Sequence, residues 1–198
     1  MTLSMGLTIY VGISEHHDLK RNGRQMKVTL MMAVTADGMI ARDHEHFPDW
    51  TCRADKQMFK AITQKAGVVV FGSKTFDTIG KPLSGRLNIV LTRHPERYQP
   101  LENLIFSSDP PERLLAELER RGFQEVILAG GAIVNTLFAK SRLIDEMILT
   151  IAPKLFGQGV HLLSEACDLD LKLLEARTIE TDSLVLRYRV LYSEENAR

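Results

Sequence analysis

Three side chains with the chemistry of a binding or catalytic site stand out in the sequence: an acid, a tryptophan and an arginine. Asp55 lies at the predicted start of a helix, and Trp50, the only tryptophan, lies five residues before it. Arg86 lies just before an apolar strand, where its planar guanidinium could bind a carboxylate or a phosphate through two hydrogen bonds. Each also has an ordinary interpretation, because acids in a first helical turn and arginines at a surface are usually solvated.

Two glycine turns connect a predicted strand to a predicted helix, at Gly72 and at Gly130-Gly131. Helix N-termini favour phosphate groups, and ligands of open α/β sheets bind at the carboxyl ends of the strands. Neither turn has the six-residue dinucleotide fingerprint, so turns without a ligand remain an alternative. Lys74 and Arg93 follow two of the strands and could either bind an additional phosphate or be solvated.

The elements that position these residues follow from the pattern of apolar runs. Runs of strand length alternate with helical patterns, which is typical of an α/β sheet with crossover helices. Strands are predicted at 28–34, 68–71, 87–91, 104–106, 126–128 and 146–151, with a final antiparallel pair at 171–176 and 184–191. Helices are predicted at 54–64, 74–79, 111–121 and 132–139, and an irregular loop at 35–50. The predicted fold class is therefore α/β, with a mixed, mainly parallel central sheet, flanking helices and an antiparallel C-terminal strand pair.

Composition excludes several classes of protein. Twenty-five basic residues balance 25 acidic ones, so no net charge attracts the chain to nucleic acid or to a membrane surface. No apolar run approaches the roughly 20 residues of a membrane span. Cys52 and Cys167 lack metal-type spacing, which predicts free thiols and a reducing compartment. His44 and His46 have no third ligand nearby in the sequence, so no metal site is expected.

The first 25 residues differ in character from the rest. We predict an N-terminal appendage at 1–25 and a catalytic domain at 26–198. The appendage could be an added edge strand at 7–13, a flexible arm or an artefact of the chosen start site. The apolar run at 6–13 lacks a basic leader and a cleavage site, so no signal peptide and a cytoplasmic location are expected.

Residues 69–92, VVFGSKTFDTIGKPLSGRLNIVLT, resemble the dihydrofolate reductase superfamily, and the resemblance extends over about 27–191. Upstream, the spacing of Trp50, Ala54, Asp55 and Phe59 is similar to that family's arrangement of a tryptophan, an acid and a substrate-packing phenylalanine. Downstream, ILAGGAIV at 127–134 is similar to the family's Gly-Gly turn under the cofactor pyrophosphate. Thr150 corresponds to the threonine that partners the acid.

The resemblance implies a dihydrofolate reductase-like fold and NADPH-dependent reduction of 7,8-dihydrofolate to tetrahydrofolate by hydride transfer. The catalytic residues it implies are Asp55, Trp50 and Thr150. The implied substrate-binding residues are Met32, Ala33, Phe59, Thr78, Ile79, Leu83 and Arg86, with Arg86 holding the α-carboxylate of the glutamate tail. The implied NADPH-binding residues are Ala33, Ile40, Gly72, Ser73, Lys74, Thr75, Leu91, Thr92, Arg93, Ala129, Gly130, Gly131, Ala132, Ile133 and Val134. The expected partners are a small-molecule substrate and, at most, a second copy of the chain, with no nucleic acid and no membrane.

The second half of the chain favours a different substrate. RLIDEMILTIAPKLFGQGVHLL at 142–163 and TADGMIA at 35–41 are more similar to the pyrimidine reductases of riboflavin synthesis, which belong to the same superfamily. Ser73 stands where dihydrofolate reductases often have an arginine, and Asn135 where they commonly have a tyrosine. The alternative is therefore an NADPH-dependent reductase of a ribosylaminopyrimidine phosphate or another pterin-like compound, with Arg86 binding the phosphate. A non-catalytic nucleotide-binding or interaction module is a third hypothesis.

Overall fold

The structure is a computed structural model that describes residues 24–43, 45–46, 48–180 and 182–192. The strands are β1 (Lys27–Thr35), β2 (Met39–Ala41), β3 (Val68–Gly72), β4 (Leu87–Leu91), β5 (Leu104–Ser107), β6 (Glu125–Leu128), β7 (Glu146–Ala152), β8 (Val160–His161), β9 (Asp170–Ile179) and β10 (Ser183–Leu191). The α-helices are α1 (Arg53–Ala66), α2 (Ser73–Ile79), α3 (Pro111–Arg120) and α4 (Ala132–Lys140). A short 3-10 helix spans Pro95–Arg97.

Eight of these strands form one sheet in the order β5-β4-β3-β6-β1-β7-β10-β9. The pairs from β5 to β7 are all parallel, whereas β10 is antiparallel to both β7 and β9. This arrangement confirms the predicted fold class. Because the six strands from β5 to β7 run in the same direction, their carboxyl ends lie along one edge of the sheet.

The central strands of the sheet are buried on both faces, as the unbroken apolar run of β3 predicts. Val68 and Val70 point into a core cluster that contains side chains of α3 and α4. The alternate residues Val69 and Phe71 point to the other face, where Phe59 of α1 and Phe76 of α2 pack on them. The helices therefore form one layer on each face of the central strands.

The prediction of an irregular loop over 35–50 is wrong in part. Strand β2 lies within this range and pairs antiparallel with β8, forming a second, two-stranded sheet. Gly38 allows the tight turn before β2, because its φ of 82° is in the left-handed region. The long-range partner at 160–161 stabilises this strand, and a three-residue run gives too weak a local signal to predict it.

The first described residue, Arg24, is held against the segment that precedes β7. The Arg24 guanidinium donates to Asp145 at 2.8 Å and to the backbone oxygen of Leu143 at 3.1 Å. Residues 7–13, for which an added edge strand was one of three alternatives, lie outside the described residues, and so does His44. None of the helices in the described ranges is long and apolar enough to cross a membrane.

Asn88, a fully buried residue of β4, fixes the loop that precedes this strand. Its Oδ1 accepts from Leu83 N–H at 2.8 Å, and its Nδ2 donates to the backbone oxygens of Leu83, Arg86 and Asn103 at 2.9–3.1 Å. One carboxamide therefore holds both ends of the 83–86 turn and joins β4 to the start of β5. The sequence prediction did not include Asn88 among the residues that shape the site.

Asn88→Ala should lower the free energy of unfolding by about 2–4 kcal/mol, because it leaves several buried backbone groups without partners. Urea denaturation of the variant and the parent checks this. Asn103→Ala is the matched control, since that residue contributes a backbone oxygen to the same network. An equal loss in both variants would contradict a specific role for the Asn88 carboxamide.

Candidate functional site

Asp55 lies in the first turn of α1, and only 8% of its surface is exposed. The Cys52 side chain caps the helix by accepting from Asp55 N–H at 3.4 Å. The Asp55 carboxylate accepts hydrogen bonds from the hydroxyl groups of Thr150, in β7, and Thr51. Burial raises the pKa of Asp55, and these hydrogen bonds and the positive charge of Lys56 only partly offset it. The structure therefore brings the predicted acid and its predicted threonine together.

Trp50 is a buried residue of the segment that precedes α1. It is 9% exposed, and its indole packs edge-on against Phe156 with 5.4 Å between ring centroids. Its Nε1–H is buried and has no hydrogen-bond acceptor in the described part of the chain. The guanidinium carbon of Arg42 lies 4.1 Å from the centroid of the same Phe156 ring. Phe156 was not predicted, because the sequence gives no local sign that residues 42–50 and 156 meet.

Asp37 connects the turn between β1 and β2 to the loop after β7. Its carboxylate accepts from the backbone N–H groups of Phe156 at 3.0 Å and Gly157 at 2.7 Å, and from the hydroxyl of Thr35. These hydrogen bonds, the one from Thr35 first, lower the pKa of Asp37. TADGMIA resembles a family motif, but the sequence alone gives no sign of this role of Asp37.

Arg86 is 7% exposed, and the guanidinium lies against α1. Its Nε and Nη2 donate to the backbone oxygen of Ser84 at 3.1 and 2.9 Å, and its Nη1 donates to the hydroxyl of Thr63. A guanidinium has five N–H donors, so one on each terminal nitrogen remains for another acceptor. Burial lowers the pKa of Arg86, and both neighbours that accept from it are uncharged. Thr63, which positions this cation, was missed by the sequence analysis.

Asp55, Phe59 and Thr63 follow each other at four-residue intervals and therefore lie on one face of α1. The acid and the threonine that holds Arg86 are eight residues apart, which is about 12 Å along the helix at 1.5 Å per residue. The half-buried ring of Phe59 lies between them and packs on the core cluster that contains Val69 and Phe71. The face presents an acid, an apolar surface and a cation in a row.

The two glycine turns lie side by side at the carboxyl edge of the sheet. Gly72 N–H donates to the backbone oxygen of Gly130 at 2.8 Å, and the peptide bond between Gly130 and Gly131 is cis. A Cβ at Gly72 would lie 3.1 Å from the Val134 side chain, and one at Gly131 would lie 3.3 Å from the Thr75 hydroxyl oxygen. Larger residues would separate the turns, so this close approach explains why the sequence has glycine at both.

Several of the other predicted residues lie near the same edge, whereas Leu83 lies in the turn before β4, at the opposite end of that strand. Met32 and Ala33 are half-buried near the end of β1, Leu91 ends β4, and Thr92 follows it. The more exposed members are Lys74, Arg93 and Ile133, the last of which is 65% exposed. The hydroxyl of Thr78 donates to Lys74 O within α2 and is not directed to another element. In the described ranges, no three His, Cys, Asp or Glu side chains group together as metal ligands would.

The sequence matches a family of known proteins over most of its length. Residues 26–185 match the family model described as RibD C-terminal domain. The chain is also 32% identical over 136 residues to the dihydrofolate reductase type 3 of Salmonella typhimurium, covering 69% of this chain and 78% of that protein.

Solved structures show the same fold. One is the diaminohydroxyphosphoribosylaminopyrimidine deaminase/5-amino-6-(5-phosphoribosylamino)uracil reductase of Thermotoga maritima, with a TM-score of 0.71 and 19% identity over 84% of this chain and 57% of that one. Another is the dihydrofolate reductase of Enterococcus faecalis complexed with NADP(H) and RAB-propyl, with a TM-score of 0.66 and 21% identity over 85% of this chain and 99% of that one.

Asp55→Asn should make the folded protein more stable than the parent at neutral pH. The folded-state pKa of Asp55 is raised, so the parent loses stability as the pH rises from the ordinary value of 3.8 through that raised pKa. Asparagine does not ionise, so the advantage of the variant should shrink as the pH falls. Urea denaturation at several values between about pH 4 and about pH 8 checks this trend. Asp77→Asn, at an exposed position of α2, is the matched control; an Asp55→Asn effect independent of pH would contradict the assignment.

Proposed function

The chain belongs to the RibD C-terminal domain family, and we propose that it is an NADPH-dependent reductase that acts on 7,8-dihydrofolate. Reductases of folates and of pyrimidines both occur among its relatives. The choice between these two substrates rests on the residues of this chain rather than on the family.

The row formed by Asp55, Phe59 and the Thr63–Arg86 pair carries this proposal. A carboxyl group can bind the amino group and ring nitrogen of a pterin, and the guanidinium can bind a carboxylate through its two remaining N–H groups. The separation of about 12 Å along α1 requires a spacer between the ring and the anion. Folate has such a spacer, an aromatic ring and an amide, and the aromatic ring fits the apolar surface of Phe59. The row thus matches a long ligand with a polar ring at one end and a carboxylate at the other.

The paired glycine turns fit NADPH. The N-terminus of α4 follows Gly131, and free N–H groups with a positive helix dipole favour the pyrophosphate there. Lys74 and Arg93 are exposed at the ends of two adjacent strands, where they can bind the additional phosphate that distinguishes NADPH from NADH. When bound, NADPH supplies the hydride that reduces the substrate ring.

The residues around Asp55 would prepare the substrate for reduction. The raised pKa of Asp55 keeps the carboxyl group basic enough to share a proton with the ring. Thr150 and Thr51 orient that carboxyl by donating to it, and Trp50 with Phe156 excludes water from one side. In the proposed mechanism, Asp55 is the catalytic acid, Thr150 positions it, and Arg86 binds the far end of the substrate.

The second candidate substrate is an aminopyrimidine that carries a sugar phosphate, and the match to the RibD C-terminal domain model favours it. In this case Arg86 would bind the phosphate, which suits a guanidinium as well as a carboxylate does. The sugar phosphate is attached to the pyrimidine without an intervening aromatic ring, so Phe59 would have no aromatic partner.

Oxidation of NADPH by the purified protein, followed by absorbance, distinguishes the candidates. We expect turnover with 7,8-dihydrofolate and little with the aminopyrimidinone phosphate. The reverse preference would assign the protein to pyrimidine reduction. If neither substrate is reduced and NADPH does not raise the melting temperature, the proposal fails, since a ligand that binds only the folded state must stabilise it.

Asp55→Asn provides the control for the role of the acid in this assay. It should reduce turnover about 100-fold or more, the usual contribution of a positioned acid or base. Its affinity for NADPH should stay within about twofold of the parent's, because the variant removes no group from the glycine turns. Parent-like turnover would remove Asp55 from the mechanism.

Arg86→Lys should raise KM for dihydrofolate about tenfold or more, because lysine cannot make the two-point contact with a carboxylate. KM for a dihydropterin without the glutamate tail should stay unchanged. Arg113→Lys, on the exposed side of α3, is the matched control. Equal losses with both substrates would mean that Arg86 supports the fold and does not bind the tail.

A further inference from the structure

Asn135, in the first turns of α4, has a buried oxygen for which the described part of the chain offers no hydrogen-bond donor. The residue is fully buried, and its Nδ2 donates to the backbone oxygen of Leu162 at 2.9 Å. This contact fixes the orientation of the carboxamide, because the opposite orientation would place two oxygens against each other. A buried oxygen without a donor costs about 1–3 kcal/mol, so its persistence in this position requires an explanation.

The oxygen lies beside the Gly-Gly turn. A Cβ at Gly130 would lie 3.9 Å from Asn135 Oδ1 and 2.9 Å from the thioether end of Met32. The Asn135 oxygen and the flexible, half-buried Met32 side chain are therefore both neighbours of Gly130. Rotation of the Met32 side chain would make room for a ligand group beside the turn without moving the backbone.

The position of Asp55 indicates which part of a ligand reaches this space. Thr150, which donates to Asp55, pairs across the sheet with Ala33, and the neighbouring Met32 contacts the position of Gly130. Strand β1 lies between β7, which carries Thr150, and β6, which leads to the Gly-Gly turn. Two strand spacings of about 4.8 Å each therefore separate the partner of the acid from the turn. Because reacting rings must be in contact, the nicotinamide end of NADPH, and not its adenosine end, is the part expected here.

We propose that Asn135 Oδ1 accepts a hydrogen bond from the carboxamide N–H of the nicotinamide ring and so fixes the orientation of that ring. A reduced nicotinamide ring has no N–H groups other than the two on its carboxamide nitrogen, so the donor is specified by chemistry. This inference rests on the proposed function, since it assumes that the turn binds NADPH. It adds a specificity-determining residue that the sequence analysis did not place in the site.

Calorimetric titration with NADPH and with its 3-acetylpyridine analogue tests the proposal. The analogue keeps the carbonyl group and lacks the N–H donors. The parent should bind NADPH about tenfold more tightly than the analogue, because the analogue leaves the buried oxygen unpaired. In Asn135→Leu, which is similar in shape and has no acceptor, this preference should fall to about twofold or less.

Thr136→Val is the matched control. The Thr136 hydroxyl accepts from Ser164 N–H at 2.8 Å, so this residue holds the same loop that Asn135 holds through Leu162. The control should keep the parent's preference for NADPH. If it loses the preference as Asn135→Leu does, the effect belongs to the loop and the proposal is overturned.

The remaining outcomes are also decisive. A parent that binds both dinucleotides equally well overturns the assignment of Asn135 and leaves the proposed function standing. A parent that binds neither overturns the proposed function and this inference with it. If Asn135→Leu does not fold, Asn135→Ala replaces it, and the ratio measured on the parent needs no variant at all.

Discussion

The parallel pairing of β1 with β6 on one side and β7 on the other is the constraint on which the whole site depends. Leu30 pairs with Leu128 and Ala33 with Thr150. The Gly-Gly turn, which follows β6, and Thr150, which supports Asp55 from β7, therefore lie on opposite sides of β1. The Gly-Gly turn and Thr150, which are distant in the chain, are thereby held with one strand between them. Backbone hydrogen bonds on both sides of β1 fix the distance between the turn and Thr150 more firmly than a side-chain contact within the site could.

The two ionisable groups of the site, Asp55 and Arg86, are both buried, and both have uncharged hydrogen-bond partners. Asp55 is held by two hydroxyl groups, and Arg86 by a hydroxyl and a backbone oxygen. Pairing either group with an opposite charge would make it more stable and leave it less able to bind a ligand. Burial without a charged partner thus lowers the stability of the fold, but it leaves Asp55 and Arg86 able to bind a ligand.

The sequence predicted the sheet well because its central strands are buried on both faces and read as short apolar runs. Asp55 and the glycine turns could be proposed because they lie at helix starts or strand ends with recognisable spacing, whereas Thr150, inside β7, was implied only by the resemblance to the dihydrofolate reductase superfamily. Thr63, Phe156 and the Asn88 network could not, because each acts through a partner far away in the chain. Asn135 was noted as a departure from a family pattern, but its unpaired oxygen is a property of three-dimensional packing.

The hydrogen bonds of Asp37 have a consequence for how this protein can vary. The carboxylate joins the turn before β2 to the backbone of Phe156 and Gly157, and the Phe156 ring also supports Trp50. The turn before β2 and the loop after β7 are thus joined through one side chain. An insertion or deletion in one would pull the other out of place, so viable changes in loop size at this end of the molecule must arise in both loops together.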